Sequence, residues 1–210
     1  MCPEVMQLDS LCHATMMARF DNLRIREWRQ LKYFEPKGTL LELRRIETQV
    51  ADLTGDERVR TLRATPLRPY NEWRQAALFC YGMSVALGVT VYFAKYEGSG
   101  YDYVTMHVDG DVERYTPLQL KELVPKHLNA AATLDSIIER LTKYSDGNDM
   151  AVAVHLNRQE NRDLTNIVVP RLPIGELWLY WAASPDGSRW ALYGDLLLSP
   201  SLTEFSYPRE

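Results

Sequence analysis

Three polar residues in the middle of the chain have side chains suited to metal-dependent phosphodiester cleavage. Asp102 opens a run of β-forming residues, and Gln119 and Lys121 follow 17 and 19 positions later, within a second run. Carboxylate and amide oxygens bind hard divalent cations, and an ammonium group stabilises negative charge that develops on a phosphodiester under attack by water. The residue types therefore predict this chemistry if folding brings the three side chains together.

A β-hairpin with its turn at Asp109-Gly110 places the three side chains on one face. This dipeptide is a strong signal for a two-residue turn, because such turns need positive φ values. With these two residues as the loop, Asp102 pairs with Pro117 and becomes a diagonal neighbour of Gln119. Side chains alternate along a strand, so the acid, the amide and the ammonium group share a face.

The segment 71–156 predicts the order helix, strand, strand, strand, helix, strand. Its elements are a helix over 71–87, strands over 89–94, 101–108 and 112–123, a helix over 134–144 and a strand over 151–156. Asn71 is predicted to cap the first helix and Gly88 to end it. Thr133 is predicted to cap the second helix.

This element order and these residues resemble the PD-(D/E)xK nuclease superfamily. Its core runs α-β-β-β-α-β, with an aspartate near the start of the second strand and a (D/E)-x-K triplet on the third. Here Asp102 and Gln119-Leu120-Lys121 match those positions, and the glutamine variant is similar to that of Mrr-type restriction endonucleases. The resemblance covers 71–156. It implies an α/β protein with a restriction-endonuclease-like αβββαβ core, a helical N-terminal region and a C-terminal β-hairpin.

The resemblance implies a role for each matched residue in a Mg²⁺- or Mn²⁺-dependent nuclease. Asp102, the amide of Gln119 and the backbone carbonyl of Leu120 would bind the metal. Lys121 would orient or deprotonate the attacking water and stabilise the charged transition state. Glutamine in place of glutamate removes one negative charge, so weaker metal affinity is expected.

Two acidic residues outside the hairpin are further candidates for the site. Glu72 lies on the first helix of the matched segment, from which the superfamily often recruits another catalytic acid, and Gln75 follows one turn on. Glu97, just ahead of a glycine turn, is a second candidate metal ligand. Metal affinity is expected to be weaker unless Glu72 or Glu97 helps, and a core that is kept while catalysis is lost is the alternative.

Three functions are compatible with these residues. The first is a nuclease that hydrolyses phosphodiester bonds of DNA or RNA, and the second is a catalytically inactive protein with the same core that binds a protein or nucleic acid. The third is a dimeric interaction module unrelated to nucleases, in which Gln119 and Lys121 are the polar face of an exposed hairpin. The third function predicts that Asp102 and Lys121 diverge in space.

Composition predicts the domain organisation and the compartment. The 210 residues are 46% hydrophobic and 25% charged, which fits a globular protein with a substantial core. We expect a helical N-terminal region over 1–68 and a nuclease-like domain over 69–210. No apolar run is long enough to cross a membrane, and the N-terminus lacks a secretory pattern. Three cysteines without metal-site spacing favour a reduced, cytoplasmic protein.

The N-terminal region combines helical spacing with positive charge. Helices are expected over Met16–Tyr33 and Leu40–Leu53, separated by the breaker Pro36-Lys37-Gly38. Although the net charge of the chain is −4, residues 19–74 carry thirteen basic and nine acidic side chains. Four cations in the first helix are candidate contacts for nucleic acid, and a solvated helix face is the alternative: Arg24, Arg26, Arg29 and Lys32.

A second hairpin is predicted near the C-terminus. Glu176–Ala183 and Ser188–Tyr193 flank the turn sequence Ser184-Pro185-Asp186-Gly187. Apolar and aromatic side chains on both faces predict cover on both sides, so we expect a sheet extension and a homodimer surface rather than a base-stacking platform. The four histidines are expected in surface positions or in satisfied buried positions.

Overall fold

The protein is mixed α/β, with a seven-stranded sheet and helices, in a computed structural model. The described residues are 23–53, 62–98, 100–145, 147–158 and 164–209. The chain divides into two units, Met1–Lys32 and Tyr33–Glu210. The second unit contains the sheet together with the helix Pro36–Leu53, which the sequence analysis placed in a separate region ending at residue 68.

Within the first unit, residues 23–28 form a helix. This helix ends earlier than the predicted Met16–Tyr33, whose first part lies outside the described residues. Its last turn tightens, because the amide of Gln30 donates to the carbonyl of Glu27 at 3.0 Å. The predicted basic stripe is therefore divided, with Arg29 and Lys32 beyond the helix. The Arg24 guanidinium lies over the Trp28 ring, 4.8 Å from its centre.

The elements of the second unit follow the predicted order. They are helices α1 (Pro36–Leu53), α2 (Arg68–Leu87) and α3 (Leu134–Leu141), and strands β1 (Tyr92–Lys95), β2 (Tyr103–Asp109), β3 (Val112–Leu123), β4 (Gly147–Leu156), β5 (Ile174–Ala182), β6 (Arg189–Gly194) and β7 (Ser201–Ser206). From α2 to β4 the order is helix, strand, strand, strand, helix, strand. Among the described helices, none combines the length and apolar composition that crossing a bilayer requires.

Helix α1 begins at Pro36, so the prediction that Pro36-Lys37-Gly38 breaks the helix was wrong. Proline is tolerated in a first helical turn, where its missing N–H would have no partner within the helix. The Glu35 carboxylate accepts hydrogen bonds from the amides of Lys37 and Gly38, at 2.9 and 2.6 Å. This contact satisfies two of the donors exposed at the start of the helix.

Helix α2 begins at Arg68, three residues before the predicted cap Asn71, with proline again in its first turn. Its predicted end is confirmed, because Gly88 has a φ of +70° and closes the helix in the left-handed conformation. Helix α3 is capped by Thr133 as predicted, in a reciprocal pair of hydrogen bonds with Ser136.

The first hairpin forms with a shifted register. Tyr103 pairs with Leu118 and Asp109 pairs with Val112, so the loop is Gly110-Asp111 rather than Asp109-Gly110. Gly110 has a φ of +61° and takes the first loop position, where a type II′ turn needs glycine. The register thus moves by two residues, which leaves every side chain on its predicted face.

The sheet consists of two antiparallel meanders, β1 to β3 and β5 to β7, which are joined by the parallel strand β4 between them. Strands lie in the order β1 to β7; the β3–β4 and β4–β5 pairs are parallel and the other pairs are antiparallel. One face packs under α2, where Tyr103, Leu118 and Tyr180 join a core with Phe79. The opposite face packs under α3 through Val152, Val154, Leu177 and Leu179. The carboxyl ends of β3, β4 and β5 therefore meet at one edge of the sheet.

The second hairpin extends the sheet as predicted, as β5 and β6 around the turn 184–187. Tyr180 and Trp190 are buried under α2, and Trp181 packs on the opposite face, so both faces of β5 are covered. These aromatic side chains therefore belong to the core. A homodimer through this hairpin stays a prediction.

The two ends of the second unit meet beside α1. The hydroxyl of Tyr207, which follows β7, donates to the carbonyl of Leu40 at 2.9 Å. The Arg44 guanidinium lies over the Tyr207 ring, 4.4 Å from its centre. Helix α1 also pairs with α2 through Glu47 and Arg74, at 3.1 Å. These contacts hold α1 on the outside of the α2 layer.

Candidate active site

Except for Glu97, the residues predicted to act in chemistry line one cavity of about 580 Å³, which we call the Asp102 cavity. Its walls come from α2 and the segment before it, from the start of β2 and from the end of β3. Its lining residues are Arg63, Arg68, Asn71, Glu72, Gln75, Asp102, Tyr103, Gln119, Leu120, Lys121, Glu122 and Val124. Glu97 is exposed in the loop after β1 and does not line this cavity.

The Asp102 carboxylate turns inward onto β3. Its Oδ2 accepts hydrogen bonds from the Gln119 amide and from the backbone N–H of Leu120, the latter at 3.0 Å. In the described structure no hydrogen bond engages Oδ1. Burial raises the pKa of Asp102 from its ordinary value, while the Leu120 N–H and the Lys121 ammonium act in the opposite direction. The oriented carboxylate therefore has one oxygen left for a further ligand.

The Gln119 side chain bridges two oxygens that are typical ligands of a hard cation. It is buried, and its Nε2 donates to Asp102 Oδ2 and to the Leu120 carbonyl, the latter at 3.2 Å. A carboxylate oxygen and a carbonyl oxygen thus converge on one amide nitrogen. Since Mg²⁺ and Mn²⁺ prefer oxygen ligands of these kinds, the donor set fits either metal once the Gln119 amide turns its own oxygen inward.

Lys121 and Glu72 have opposite electrostatic effects on the carboxylate of Asp102. The Lys121 ammonium lowers the pKa of Asp102, and the Glu72 carboxylate raises it. Glu72 lies on α2 and pairs with Arg68, whose Nε is 3.2 Å from Glu72 Oε1. The structure therefore brings together Asp102, Gln119, Lys121 and Glu72. The hypothesis of an interaction module unrelated to nucleases had predicted that Asp102 and Lys121 diverge.

Glu122 is the centre of a polar network at the inner end of the cavity. Its carboxylate accepts hydrogen bonds from Arg63, from Asn157 at 2.7 Å and from Gln75 at 3.4 Å. Burial alone would raise the pKa of Glu122, but the hydrogen bonds from Asn157 and Arg63 outweigh it and the pKa is lowered. This carboxylate is engaged by the protein, and it fixes the Arg63 guanidinium at the cavity wall.

Tyr103 brings an unpaired hydroxyl to the same cavity. The side chain is 2% exposed, and its hydroxyl has no hydrogen-bond partner among the described residues. Burial, the largest cause, raises the pKa of Tyr103, and the Glu72 and Asp102 carboxylates raise it further. The hydroxyl therefore stays protonated and can donate to a water molecule or a phosphate oxygen.

A neighbouring cavity of about 410 Å³ continues from Lys121 toward the end of α3. Arg140 and Lys143 lie in its wall with Lys121, and Glu122 is the acidic residue of this lining. Positive side chains are thus available on both sides of Lys121. An extended anion is the kind of ligand that such an arrangement attracts.

The lining residues that the sequence-based site predictions did not include are Arg63, Arg68, Asn71, Tyr103, Glu122 and Val124. Glu122 directly follows the Gln-x-Lys triplet, so its position was available as a signal. Arg63 carried none, because it lies 59 positions before Glu122 and in a segment without strong periodicity.

Across the described ranges, no three His, Cys, Asp or Glu side chains form a group that would hold a metal ion. A metal in the Asp102 cavity would therefore depend on the amide and carbonyl oxygens in addition to carboxylates. No family model, curated protein or solved structure matches this chain.

Proposed function

We propose that the protein is a nuclease-like hydrolase that cleaves phosphodiester bonds of DNA or RNA with Mg²⁺ or Mn²⁺, on a restriction-endonuclease-like core. The observation that carries the proposal is the convergence of Asp102, Gln119, Lys121 and Glu72 in one cavity. The order of elements from α2 to β4 supports the same proposal. The buried, unpaired thiol of Cys80 is consistent with a reduced, cytoplasmic setting.

Each residue has a role that follows from its chemistry. Asp102, the Gln119 amide oxygen and the Leu120 carbonyl would hold the metal, with Glu72 as a further carboxylate nearby. When bound, such a metal polarises the phosphoryl oxygen and lowers the pKa of a water ligand. The Lys121 ammonium orients the attacking water and stabilises the negative charge of the transition state.

Cations around the cavity are suited to hold the substrate backbone. Arg63 and Arg68 lie in the wall of the Asp102 cavity, and Arg140 and Lys143 continue from Lys121. Independently of this cavity, Arg24, Arg26, Arg29 and Lys32 of the first unit are proposed as contacts for nucleic acid. Because such contacts release counterions, affinity for nucleic acid should fall steeply with salt.

One observation favours a second candidate function, a catalytically inactive binding protein with the same core. The Gln119 nitrogen already satisfies Asp102 Oδ2 and the Leu120 carbonyl, as a cation would. A site balanced in this way is stable without metal. The two candidates differ in metal-dependent turnover, and both expect binding of an anionic partner.

Cleavage of mixed single- and double-stranded DNA and RNA, with Mg²⁺, Mn²⁺ or EDTA, separates the two functions. Wild type is compared with Asp102→Ala and Lys121→Ala. The matched controls are Asp111→Ala in the exposed hairpin turn and Lys37→Ala in the exposed first turn of α1. We expect metal-dependent cleavage in wild type and both controls, and its loss in both site variants.

Two results would contradict the nuclease proposal. Equal cleavage by wild type and the site variants would show that the activity comes from a contaminant. Absence of cleavage in every condition, together with retained binding of nucleic acid, would establish the inactive binding protein instead.

A further inference from the structure

A second and larger cavity lies at the same edge of the sheet, beyond the Glu122–Asn157 hydrogen bond. It has a volume of about 720 Å³, which is in the range of small-molecule sites in proteins. Its walls are the segments that follow β3, β4 and β5, together with Arg74 of α2. We call it the His155 cavity, after the side chain at its inner end. Carboxyl ends of parallel strands are a common position for ligands in α/β proteins.

The charges of this cavity favour an anion. Arg74, Lys126 and Arg158 lie in its wall, each from a different segment of the chain. Asp186 is the acidic residue in the described lining, and its Oδ1 accepts hydrogen bonds from Ser184 and Ser188 within its own turn. The carboxylate is therefore engaged locally, and the wall as a whole presents an excess of positive charge. Two of the three cations are guanidinium groups, whose forked donors match phosphate oxygens.

Two guanidinium groups of the wall are held in place by the protein. The Arg158 side chain donates to the backbone carbonyls of Val124, at 2.6 Å, and Asn129. Arg74 lies 3.1 Å from Glu47, which is outside the cavity. These contacts fix the guanidinium groups before any ligand arrives, which reduces the entropy lost on binding.

The inner end of the cavity carries polar groups that the protein does not satisfy. The His155 ring is 7% exposed and lies in the wall, and its Nδ1 has no hydrogen-bond partner among the described residues. The ring stacks on Tyr180 with 4.9 Å between centres and 14° between planes, so its orientation is fixed. The Asn157 nitrogen is taken by Glu122, and no described residue bonds its oxygen. The buried His155 nitrogen is costly without a partner, whereas Asn157 is half-buried, so a ligand that reaches both side chains is favoured chiefly by the contact with His155.

We propose that the His155 cavity binds a phosphate ester of about mononucleotide size. The Lys126, Arg74 and Arg158 cations would contact the phosphate, and His155 and Asn157 would bond polar groups of the organic part. The cavity volume exceeds the needs of a lone phosphate ion. The ligand is either a free nucleotide or the phosphorylated end of a nucleic-acid strand, since both present the same chemical groups.

Isothermal titration of the full chain in EDTA tests the proposal without relying on cleavage. The probes are adenosine 5′-monophosphate, uridine 5′-monophosphate, inorganic phosphate and uncharged adenosine. We expect the mononucleotides to bind, phosphate to bind more weakly, and adenosine to show no heat. Lys126→Glu, a change at an exposed position, should weaken mononucleotide binding about tenfold or more, and Lys37→Glu should leave it unchanged.

A second variant and a competition experiment complete the test. His155→Gln should weaken the binding of mononucleotides more than the binding of inorganic phosphate, because it changes the part of the cavity assigned to the organic group. Displacement of the nucleotide by a 5′-phosphorylated oligonucleotide, and not by its unphosphorylated form, identifies a strand end, and lack of displacement identifies a free nucleotide. Absence of nucleotide binding at millimolar concentration, equal binding of adenosine, or unchanged binding in Lys126→Glu would overturn the proposal.

Discussion

The Asp102 cavity and the His155 cavity lie at one edge of the sheet but differ in how their charges are balanced. In the first, cations and carboxylates lie together: Arg63 pairs with Glu122, and burial raises the pKa of Asp102 while the Lys121 ammonium opposes this rise. In the second, three cations share the wall with one carboxylate that is engaged in its own turn. Mixed charge suits a cation beside a reacting group, whereas positive charge alone suits retention of an anion.

The largest expected effect separates the two cavities by function. The proposed function assigns stabilisation of the transition state to the Lys121 ammonium, so Lys121→Met should lower metal-dependent cleavage by about 10³-fold. Mononucleotide binding in EDTA should stay within twofold of wild type, because Lys121 is outside the His155 cavity. Parallel cleavage and titration assays check both expectations, and joint loss of the two activities would show a single shared site.

The next prediction concerns acid stability on the His155 side. Burial, opposed by Glu122, lowers the pKa of His155 from 6.5 to about 4, so the folded state keeps this ring neutral. The unfolded chain therefore takes up a proton at a higher pH than the folded chain does. Stability from this source is present above pH 6.5 and is lost as the pH falls toward 4, by roughly 3 kcal/mol.

Urea unfolding at several pH values measures this loss in wild type and in His155→Gln. Over the same interval the variant should lose less stability than wild type, so the two curves converge as the pH falls. The same substitution at exposed His127 should keep the wild-type profile. Parallel curves for wild type and His155→Gln would contradict the prediction.

A smaller effect is expected from the ion pair in the Asp102 cavity. The side chains of Arg63 and Glu122 are 20% and 15% exposed, so each is largely removed from solvent. Arg63→Leu leaves the Glu122 carboxylate with neutral donors and should lower the free energy of unfolding by about 2 kcal/mol. The double variant Arg63→Leu/Glu122→Leu should recover part of the loss, and strict additivity of the two single changes would show that the pair is not coupled.

The smallest predicted effect tests the position of the Gln119 amide. Gln119→Glu places a carboxylate beside Asp102 Oδ2 and the Leu120 carbonyl, which should cost about 1 kcal/mol of stability without metal. Addition of Mg²⁺ should restore this loss, so the melting temperature should rise more in the variant than in wild type. Gln119→Met, which adds no charge, should show no such gain. An equal Mg²⁺ response in all three proteins would place the metal elsewhere.

The shared face of the hairpin was predictable because it depends on the period of two along a strand. The predicted pairing was wrong by two residues, because Gly110, with its positive φ, occupies the first position of the loop and not the second. A shift of two residues leaves each side chain on its predicted face. The start of α1 was predicted wrongly because the sequence alone does not distinguish a proline in the first turn of a helix from a proline that ends one. Local patterns therefore located the hairpin, the end of α2 and the cap of α3 better than the starts of α1 and α2.

The surroundings of the site depended on contacts between distant segments. Arg63 meets Glu122 across 59 positions, and Asn157 reaches the same carboxylate from 35 positions away. No local spacing encodes such contacts. His155 was expected in a satisfied or exposed position, but it is buried with an unpaired nitrogen. Its environment depends on the rings of Tyr180 and Trp190, which lie on β5 and β6, further along the sequence.

The hydrogen bond from Tyr207 to Leu40 has a consequence for the order of folding. It joins residues 167 positions apart, so it closes a loop that contains every strand of the sheet. Loop closure over such a distance is slow compared with the formation of local hairpins. We therefore expect the two meanders to form first and α1 to dock last. A chain stopped before this step would expose the outer surface of α2 to chaperones and proteases.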